Sequence, residues 1–177
     1  TFNSGTINFT AGGPLTQTIT VVVNGDNVVE GNETVIVTLS NPINGGIGTT
    51  TGTGTINNDD SATLTLTGGI AKNEGNSGNT VYTFTATLSA PVQGGFQVAY
   101  TTGSGTATAG TDYTDNDGLL TFAGTTNEPQ TWTVDVIGDN LVEATETFEA
   151  ALGAISATSA TQAAVIAIAG TPQTATI

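Results

Sequence analysis

An acidic loop of ten residues occurs twice in this chain, at positions 25–34 and 138–147. Each copy follows the pattern Gly-Asp-Asn-(Val/Leu)-Val-Glu-x-x-Glu-Thr and holds three carboxylates within eight residues. Carboxylates this close repel one another, so solvent or a cation must offset their charge. Ca²⁺ is a hard cation that prefers oxygen ligands of this kind. The loop predicts either a calcium site or an ordinary solvated turn, and its recurrence favours the calcium site.

The charge of the chain is strongly one-sided. Of its 177 residues 9% are charged, Lys72 is the single base, and the formal net charge is −14. Such a chain repels phosphate backbones and anionic lipid heads, and nucleic-acid binding requires clustered Lys and Arg. No stretch approaches the ~18 consecutive apolar residues of a membrane helix. We therefore expect no nucleic-acid partner and no direct insertion into a membrane.

The composition also argues against catalysis. The chain has no Cys, no His and no Met, which excludes thiol chemistry, imidazole acid–base catalysis, the usual zinc sites and a Ser-His-Asp triad. A pair of carboxylates could still serve a glycosidase, but such sites lie in clefts lined by aromatic residues. Aromatic residues make up 6% of the chain, and Trp132 is the single Trp. We predict that the protein is not an enzyme.

The similarity between the two acidic loops extends along the chain. Residues 18–23 align with residues 131–136 at the same shift of 113, whereas the last strand-like segments align at a shift of 121. The second copy therefore contains an insertion of eight residues. Self-similarity of this kind is typical of repeat proteins. It predicts that residues 1–58 are the C-terminal half of one repeat and that residues 59–177 form a complete repeat.

The second repeat has the pattern of a β-sandwich. Thr alternates with apolar residues, and Gly, Asn, Asp and Pro separate the runs, so we predict strands and require no helix. About seven short strands at ~8–12-residue spacing are typical of an immunoglobulin-like sandwich. The fold class is therefore all-β, with tandem immunoglobulin-like β-sandwich repeats of which the first is incomplete. The clearest predicted strands of the second repeat are 80–89, 96–100, 118–122, 131–137 and 147–152.

The N-terminal half-repeat cannot close a two-sheet core with three or four strands of its own. Its missing strands could lie in the parent protein, come from a neighbouring chain, or be exchanged between chains as in β-augmentation. The chain starts without Met and without the basic-then-apolar order of a signal peptide. We therefore expect it to begin within a longer protein.

Four sequence features of the second repeat occur in a characteristic order. They are Thr-Ala-Gly-Thr-Asp-Tyr at 108–113, Leu-Thr-Phe at 120–122, the acidic loop at 138–146, and the strand that contains Phe148 and Leu152. With these features the chain resembles the Calx-beta domains of sodium/calcium exchangers, integrin β4 and many bacterial surface proteins. The resemblance implies a seven-strand sandwich that holds Ca²⁺ at one tip.

The resemblance also implies two sets of calcium ligands. In the second repeat they are Glu74, Asp112, Asp139, the Leu141 carbonyl, Glu143 and Glu146. In the first repeat they are Asp26, the Val28 carbonyl, Glu30, Glu33, Asp59 and Asp60. Exchanger domains have an Asp pair where this chain has Gly-Asp, so the resemblance implies one ion or none in each repeat.

These features together predict an extracellular structural or adhesive repeat module of a cell-surface protein, stiffened by Ca²⁺. The Asn-Asn-Asp-Asp segment at 57–60 joins the repeats, and an ion there would fix their relative tilt. The expected partners are neighbouring repeats of the same or another chain, and a surface receptor or glycan. Two alternatives stay open: a fibre subunit completed by strand exchange, and a carbohydrate-binding module. The second would need exposed aromatic residues, whereas Trp132 and Tyr100 lie in strand patterns that favour packing.

Overall fold

The computed structural model describes residues 4–157 and 159–177, and these residues form ten β-strands and one short helix. Within the described residues, no helix is long and apolar enough to span a membrane. The elements, in chain order, are β1 (Glu33–Thr38), β2 (Thr51–Ile56), β3 (Ala62–Thr67), β4 (Gly78–Leu88), β5 (Phe96–Ser104), β6 (Gly118–Phe122), β7 (Pro129–Gly138), β8 (Thr147–Ala157), α1 (Ala160–Ala164), β9 (Ile166–Ala169) and β10 (Gln173–Thr176).

The second repeat is a sandwich of two four-stranded sheets, with strand orders β10-β8-β5-β6 and β7-β4-β3-β9. All neighbouring strands in these sheets are antiparallel except β3 and β9. Strand β3 alternates buried Leu64 and Leu66 with more exposed Thr residues, as expected for a strand with one face on the core. The fold class predicted from the sequence is confirmed.

Aromatic rings fill the space between the two sheets. Tyr82 and Phe84 of β4 meet Phe148 of β8 edge to face, at centroid distances of 5.3 and 6.1 Å. Trp132 is buried and stacks on Phe84 at 5.4 Å and on Tyr100 at 4.8 Å. These contacts confirm that Trp132 and Tyr100 pack within the sandwich. Each aromatic pair stabilises the folded state by about 0.5–1.5 kcal/mol beyond the burial of its apolar area.

The five strands predicted in the second repeat are present, most of them longer than predicted. The sequence analysis did not single out β3, β9 or the five-residue helix α1. Helix α1 lies between β8 and β9, in the part of the chain that contains the eight-residue insertion, and Ser159 caps it by accepting a hydrogen bond from the N–H of Gln162 at 3.2 Å. One helical turn leaves almost no periodicity in the sequence, so only the cap could have indicated it.

The half-repeat contains less structure than its sequence suggests. The segment 18–23 forms no strand, although its counterpart at 131–136 lies within β7. The reason is that β7 pairs with β4 along ten residues, and the described part of the half-repeat has no strand equivalent to β4. An unpaired strand leaves its backbone groups without ladder partners.

Strands β1 and β2 form a two-stranded antiparallel hairpin whose register confirms the internal alignment. Thr34 pairs with Thr55 in this hairpin, and the equivalent residues Thr147 and Thr176 pair in β8 and β10. The two shifts found in the sequence, 113 and 121, therefore place the same residues opposite each other in both repeats. The division at residues 58 and 59 stays a prediction.

Candidate functional site

Three carboxylates of the second repeat converge at one tip of the sandwich. One oxygen each from Glu74, Asp139 and Glu143 lies within 4.8 Å of the others. Glu74 lies between β3 and β4, Asp139 directly follows β7, and Glu143 lies between β7 and β8. Because Ca²⁺ binds oxygen at about 2.3–2.6 Å, two of its ligands are separated by at most roughly 5 Å. The three oxygens therefore fit a calcium ion.

A glycine at the end of β7 lets the two loops approach each other. A Cβ on Gly138 would lie 2.7 Å from the Gly75 carbonyl oxygen and 2.8 Å from that of Glu74. Thr80 donates a hydrogen bond to the same Glu74 carbonyl at 2.6 Å. Asp139 closes its own turn, because its Oδ1 accepts a hydrogen bond from the N–H of Leu141 at 2.6 Å. Backbone packing thus fixes the positions of both carboxylates.

Asp112 lies beside this group and is the most enclosed of the predicted ligands, with 8% of its surface exposed. Its Oδ2 accepts a hydrogen bond from the N–H of Thr108 at 2.6 Å, and its carbonyl accepts one from the N–H of Ile137 at 2.8 Å. Glu146 begins the pairing with the last strand, since it exchanges backbone hydrogen bonds with Ile177 at 2.9 and 3.2 Å. The Asp112 and Glu146 carboxyl groups lie close enough to share a hydrogen bond when one of them is protonated.

Electrostatic coupling joins all five carboxylates. Partial desolvation raises the pKa of the exposed Glu143 carboxyl, and the charges of Asp112, Asp139 and Glu74 raise it further. The pKa of Glu146 is raised by burial, by its hydrogen bond to Asp112 and by the charges of Asp112, Glu143 and Glu74. The second repeat therefore concentrates negative charge that a cation would stabilise.

Lys72 does not neutralise this group of carboxylates, although it lies two residues from Glu74. Its Nζ donates a hydrogen bond to the Val81 carbonyl at 2.5 Å and lies 5.1 Å from the centre of the Tyr82 ring. Since Lys72 is the single basic side chain in the sequence, no other Lys or Arg is available. A metal ion or solvent must balance the charge.

The predicted ligands of the first repeat lie around a cleft at the junction of the two repeats. Asp26, Val28, Glu30, Glu33, Asp59 and Asp60 all line this cleft of about 300 Å³. The pKa of Glu30 is raised by burial and by the charges of Asp26, Glu33 and Asp60. Within the described residues, however, only Glu74, Asp139 and Glu143 bring three carboxylate oxygens within 4.8 Å of one another. The first-repeat carboxylates are more widely spaced.

The two acidic loops have the same local turn. Asp26 Oδ1 accepts a hydrogen bond from the N–H of Val28 at 2.9 Å, as Asp139 does from Leu141. The Leu141 side chain is largely exposed, whereas Val28 is half-buried. The roles of the Val28 and Leu141 carbonyls as ligands stay predictions.

Side-chain amides that the sequence did not single out organise the junction. Asn58 accepts a hydrogen bond from the N–H of Glu30 at 2.9 Å and donates one to the Asp60 carbonyl at 2.8 Å. Asn32 accepts one from the N–H of Asn58 at 3.0 Å, and Gln93 donates to Glu30 Oε1 at 3.0 Å. The Asn-Asn-Asp-Asp segment was a signal for Asn58, whereas nothing local in the sequence pointed to Gln93.

Comparison with known proteins identifies the family. The model of the Calx-beta domain matches residues 2–67 and 70–177. The chain belongs to the Calx-beta domain family. The resemblance drawn from the motifs at 108–113, 120–122 and 138–146 is therefore confirmed.

Solved structures of Calx-beta domains are similar to this chain. The apo-form Calx CBD1 domain is 24% identical, with 66% of this chain and 94% of that chain covered and a TM-score of 0.46. CBD12 from CALX1.2 is also 24% identical, with coverages of 63% and 43% and a TM-score of 0.48. This Calx-beta chain thus matches less than half of the CBD12 chain. No curated protein matched the chain.

Proposed function

We propose that this chain is an extracellular structural module in which Ca²⁺, held by loop carboxylates, stiffens tandem Calx-beta repeats of a surface protein. One observation carries the proposal: Glu74, Asp139 and Glu143 converge within 4.8 Å. The single basic side chain, on Lys72, is engaged elsewhere. The calcium-binding character of Calx-beta domains in exchanger proteins supports the choice of ion. Bound Ca²⁺ would supply positive charge and flexible oxygen coordination.

The residues of the second repeat would act by joining loops. Glu74 belongs to the β3–β4 connection, whereas Asp139 and Glu143 belong to the β7–β8 connection. Asp112, in the β5–β6 connection, and Glu146, at the start of the β8–β10 pairing, interact electrostatically with this group, but their oxygens lie outside the set that falls within 4.8 Å. Side chains that share one cation cannot separate without losing its coordination, so this tip of the sandwich would become rigid.

At the junction, a cation bound by carboxylates of the first repeat and of the linker would restrict the angle between the two repeats. Glu30 is tied to Gln93 of the second repeat, and Asp60 lies in the linker itself. A cation shared by Glu30 and Asp60 would restrain the linker and turn a flexible joint into a strut. The expected partners are neighbouring repeats of the same or another chain, and a surface receptor or glycan.

An extracellular location agrees with the chemistry of the site. Extracellular modules bind Ca²⁺ with dissociation constants of roughly 10⁻⁴–10⁻³ M. Loops held by a few carboxylates, some of them exposed, belong to that range, which suits millimolar calcium outside cells. The absence of Cys and His from the sequence supports a module without catalytic chemistry.

A second candidate function rests on the half-repeat. Several of its large apolar side chains are 61–93% exposed, and its two-stranded sheet has no opposing sheet among the described residues. Strands from another chain could cover this surface and build a fibre. Sedimentation at increasing protein concentration tests this function, which predicts assembly; a constant monomer mass would exclude it. The exposed side chains are Phe9, Leu15, Val22, Ile36 and Ile43.

Thermal unfolding in EDTA and in millimolar Ca²⁺ tests the calcium proposal. At one to ten times its Kd, the ratio that millimolar Ca²⁺ gives for a Kd of roughly 10⁻⁴–10⁻³ M, a ligand of the native state adds about 0.4–1.4 kcal/mol. That gain corresponds to a rise in Tm of roughly 1–6 °C for a chain of this size. We expect this rise in Tm for the wild-type chain and a clearly smaller rise for Glu143→Gln. The Glu143 side chain is exposed, so its replacement should not prevent folding.

The matched control for this experiment is Glu149→Gln, which removes one exposed carboxylate of β8 that is outside both groups. It should keep the full rise in Tm with Ca²⁺. Equal melting curves in EDTA and Ca²⁺ for the wild-type chain would show that the carboxylates are solvated surface residues and the module a calcium-independent spacer.

A further inference from the structure

The two acidic loops place equivalent valines in opposite environments. Val29 of the first repeat is completely buried, whereas Val142, its counterpart at the shift of 113, is completely exposed, at 101% of its reference area. Both residues occupy the fifth position of the repeated loop, directly before its first glutamate. A large apolar residue at the tip of one loop is thus covered in one repeat and uncovered in the other.

Val29 is buried because it docks into the second repeat. Its N–H donates to the Pro91 carbonyl at 2.9 Å, and its carbonyl accepts a hydrogen bond from the N–H of Gln93 at 2.9 Å. These bonds form an isolated parallel bridge between Val29 and Val92. The Val29 side chain joins the hydrophobic core of the sandwich. Val29 therefore makes both a backbone β-bridge and an apolar side-chain contact with the second repeat.

Helix α1 of the second repeat completes the receiving surface. Gln162 of α1 is 1% exposed, and its Nε2 donates to the carbonyls of Val29 at 3.3 Å and Gln93 at 2.9 Å. A buried amide that spans two chain segments fixes their relative position, since loss of a partner would leave a buried polar group unsatisfied. We call Pro91, Val92, Gln93 and Gln162 the socket.

The second loop has the shape needed for the same contact. The turn that Asp26 makes with Val28 is repeated by Asp139 and Leu141, with hydrogen bonds of 2.9 and 2.6 Å. Leu141 is 64% exposed beside the fully exposed Val142. Two adjacent exposed aliphatic side chains at a loop tip have no role in the sandwich that presents them.

We propose that Val142 is a docking residue for the socket of a further Calx-beta repeat. The partner is defined by its chemistry: a β4–β5 loop that offers a backbone carbonyl and N–H on either side of a buried aliphatic residue, and a buried side-chain amide. The socket of this chain is filled by Val29, so the partner must be a repeat whose socket is open. The contact depends on shape and backbone pairing and does not rest on the calcium proposal.

A one-residue contact is weak between separate molecules and effective within one chain. A short linker raises the effective concentration of the second partner to the millimolar range. The junction between the repeats here is such a case, since residues 57–60 directly follow β2 and precede β3. The test therefore joins an open socket to the end of β10 through the same linker sequence, residues 57–60, that joins the native socket to the end of β2.

The test protein is the full chain, residues 1–177, followed directly by a second copy of residues 57–177. Ile177 is the counterpart of Ile56, so the appended linker starts where the native one does. The appended sandwich retains both four-stranded sheets and every core residue except Val29. Because the chain contains no Cys, Val142→Cys in the first copy gives one thiol whose modification rate measures exposure.

We expect the Cys of Val142→Cys to react freely in the 177-residue chain and at least about tenfold more slowly in the fusion, as for a contact closed most of the time. Leu119→Cys, on the 62% exposed site in edge strand β6, is the matched control and should react equally in both proteins. The rates are measured in EDTA and in Ca²⁺. Protection in either buffer supports the proposal, whereas equal rates for Val142→Cys in both proteins and both buffers overturn it.

Discussion

Glu143 and Glu128 show how environment sets the behaviour of a single carboxylate. Partial desolvation and the charges of Asp112, Asp139 and Glu74 raise the pKa of the exposed Glu143 carboxyl. Burial alone would also raise the pKa of Glu128, but hydrogen bonds from the N–H groups of Thr125, Ala123 and Gly124 and from the Gln130 amide lower it below its ordinary value. Ionised Glu128 therefore stabilises its loop. Ionised Glu143 destabilises the tip of the sandwich unless a cation is bound there or the carboxyl is protonated.

The raised pKa values of Glu143, Glu146 and Glu30 predict an unusual pH dependence. A carboxyl whose folded pKa lies above its unfolded value of 4.5 binds more protons in the native state. Its contribution to the free energy of unfolding therefore increases as the pH falls through the folded pKa. In EDTA, Tm should rise between pH 7 and about pH 5. With Ca²⁺ in excess the rise should disappear, because protons compete with the ion.

Melting curves of the wild-type chain and Glu143→Gln over this pH range check the expectation. The substitution removes one of the titrating groups, so its curve in EDTA should be flatter. Below about pH 4.5 the depressed pKa of Glu128 acts in the opposite direction, since protonation there removes a stabilising anion. A Tm in EDTA that falls steadily from pH 7 to about pH 5 would contradict the repulsion between these carboxylates.

The end of β7 packs closely against the β3–β4 connection because Gly138 has no side chain. Its counterpart in the half-repeat, Gly25, would meet no atom within 4 Å if it carried a Cβ. The difference follows from the missing strands, because the described half-repeat has no loop equivalent to the one that holds Glu74. The same motif therefore has a packing constraint in one repeat and none in the other.

Gly138→Ala should separate the two loops, because its Cβ would lie 2.7 and 2.8 Å from backbone carbonyl oxygens. We expect a loss of stability of about 1–3 kcal/mol, as for other overpacked sites, and a smaller rise in Tm with Ca²⁺. Gly25→Ala is the matched control and should change Tm little. Melting curves of both variants in EDTA and Ca²⁺ measure the effect. Identical behaviour of the two variants would show that the β7 end relaxes without cost.

Most of the interactions that stabilise the fold lie in the second repeat. The sandwich contains every buried core residue except Val29. The half-repeat contributes one hairpin, and a two-stranded hairpin is at best marginally stable in water. Its links to the sandwich include the Val29 contact, the hydrogen bonds from Gln93 to Glu30 and from Gln162 to the Val29 carbonyl, and the bond from Asn58 to the Asp60 carbonyl.

Hydrogen–deuterium exchange should therefore divide the chain into two classes. Amides of β1 and β2 should exchange at least about a hundredfold faster than those of β4, whose partners lie on both sides, because local opening of the hairpin leaves the sandwich intact. Exchange followed by mass spectrometry of peptides from 33–56 and 78–88 measures the difference. Equal protection of the two regions would mean that the half-repeat and the sandwich unfold as one unit.

Period-2 patterning and the internal repeat determined much of this fold from the sequence alone. Alternation of apolar and polar residues depends only on neighbouring positions, so strands such as 118–122 could be predicted directly. The repeat alignment matched the ends of the two units, and the resemblance to the family placed Glu74, Asp112 and Asp139 at one tip, whereas the register of β1 with β2 was found in the structure. Strand alternation and the acidic loops could be recognised from the sequence because each depends on residues within one short segment.

Contacts between distant segments determine which predicted strands pair and which carboxylates lie close together. The segment 18–23 has a strand pattern but no partner strand, and strand formation depends on ladder hydrogen bonds from elsewhere in the chain. Val29 and Val142 stand in the same motif, yet one is buried and the other exposed. Gln162 contacts Val29 across 133 positions. Such contacts arise from packing between distant segments, which no local pattern encodes.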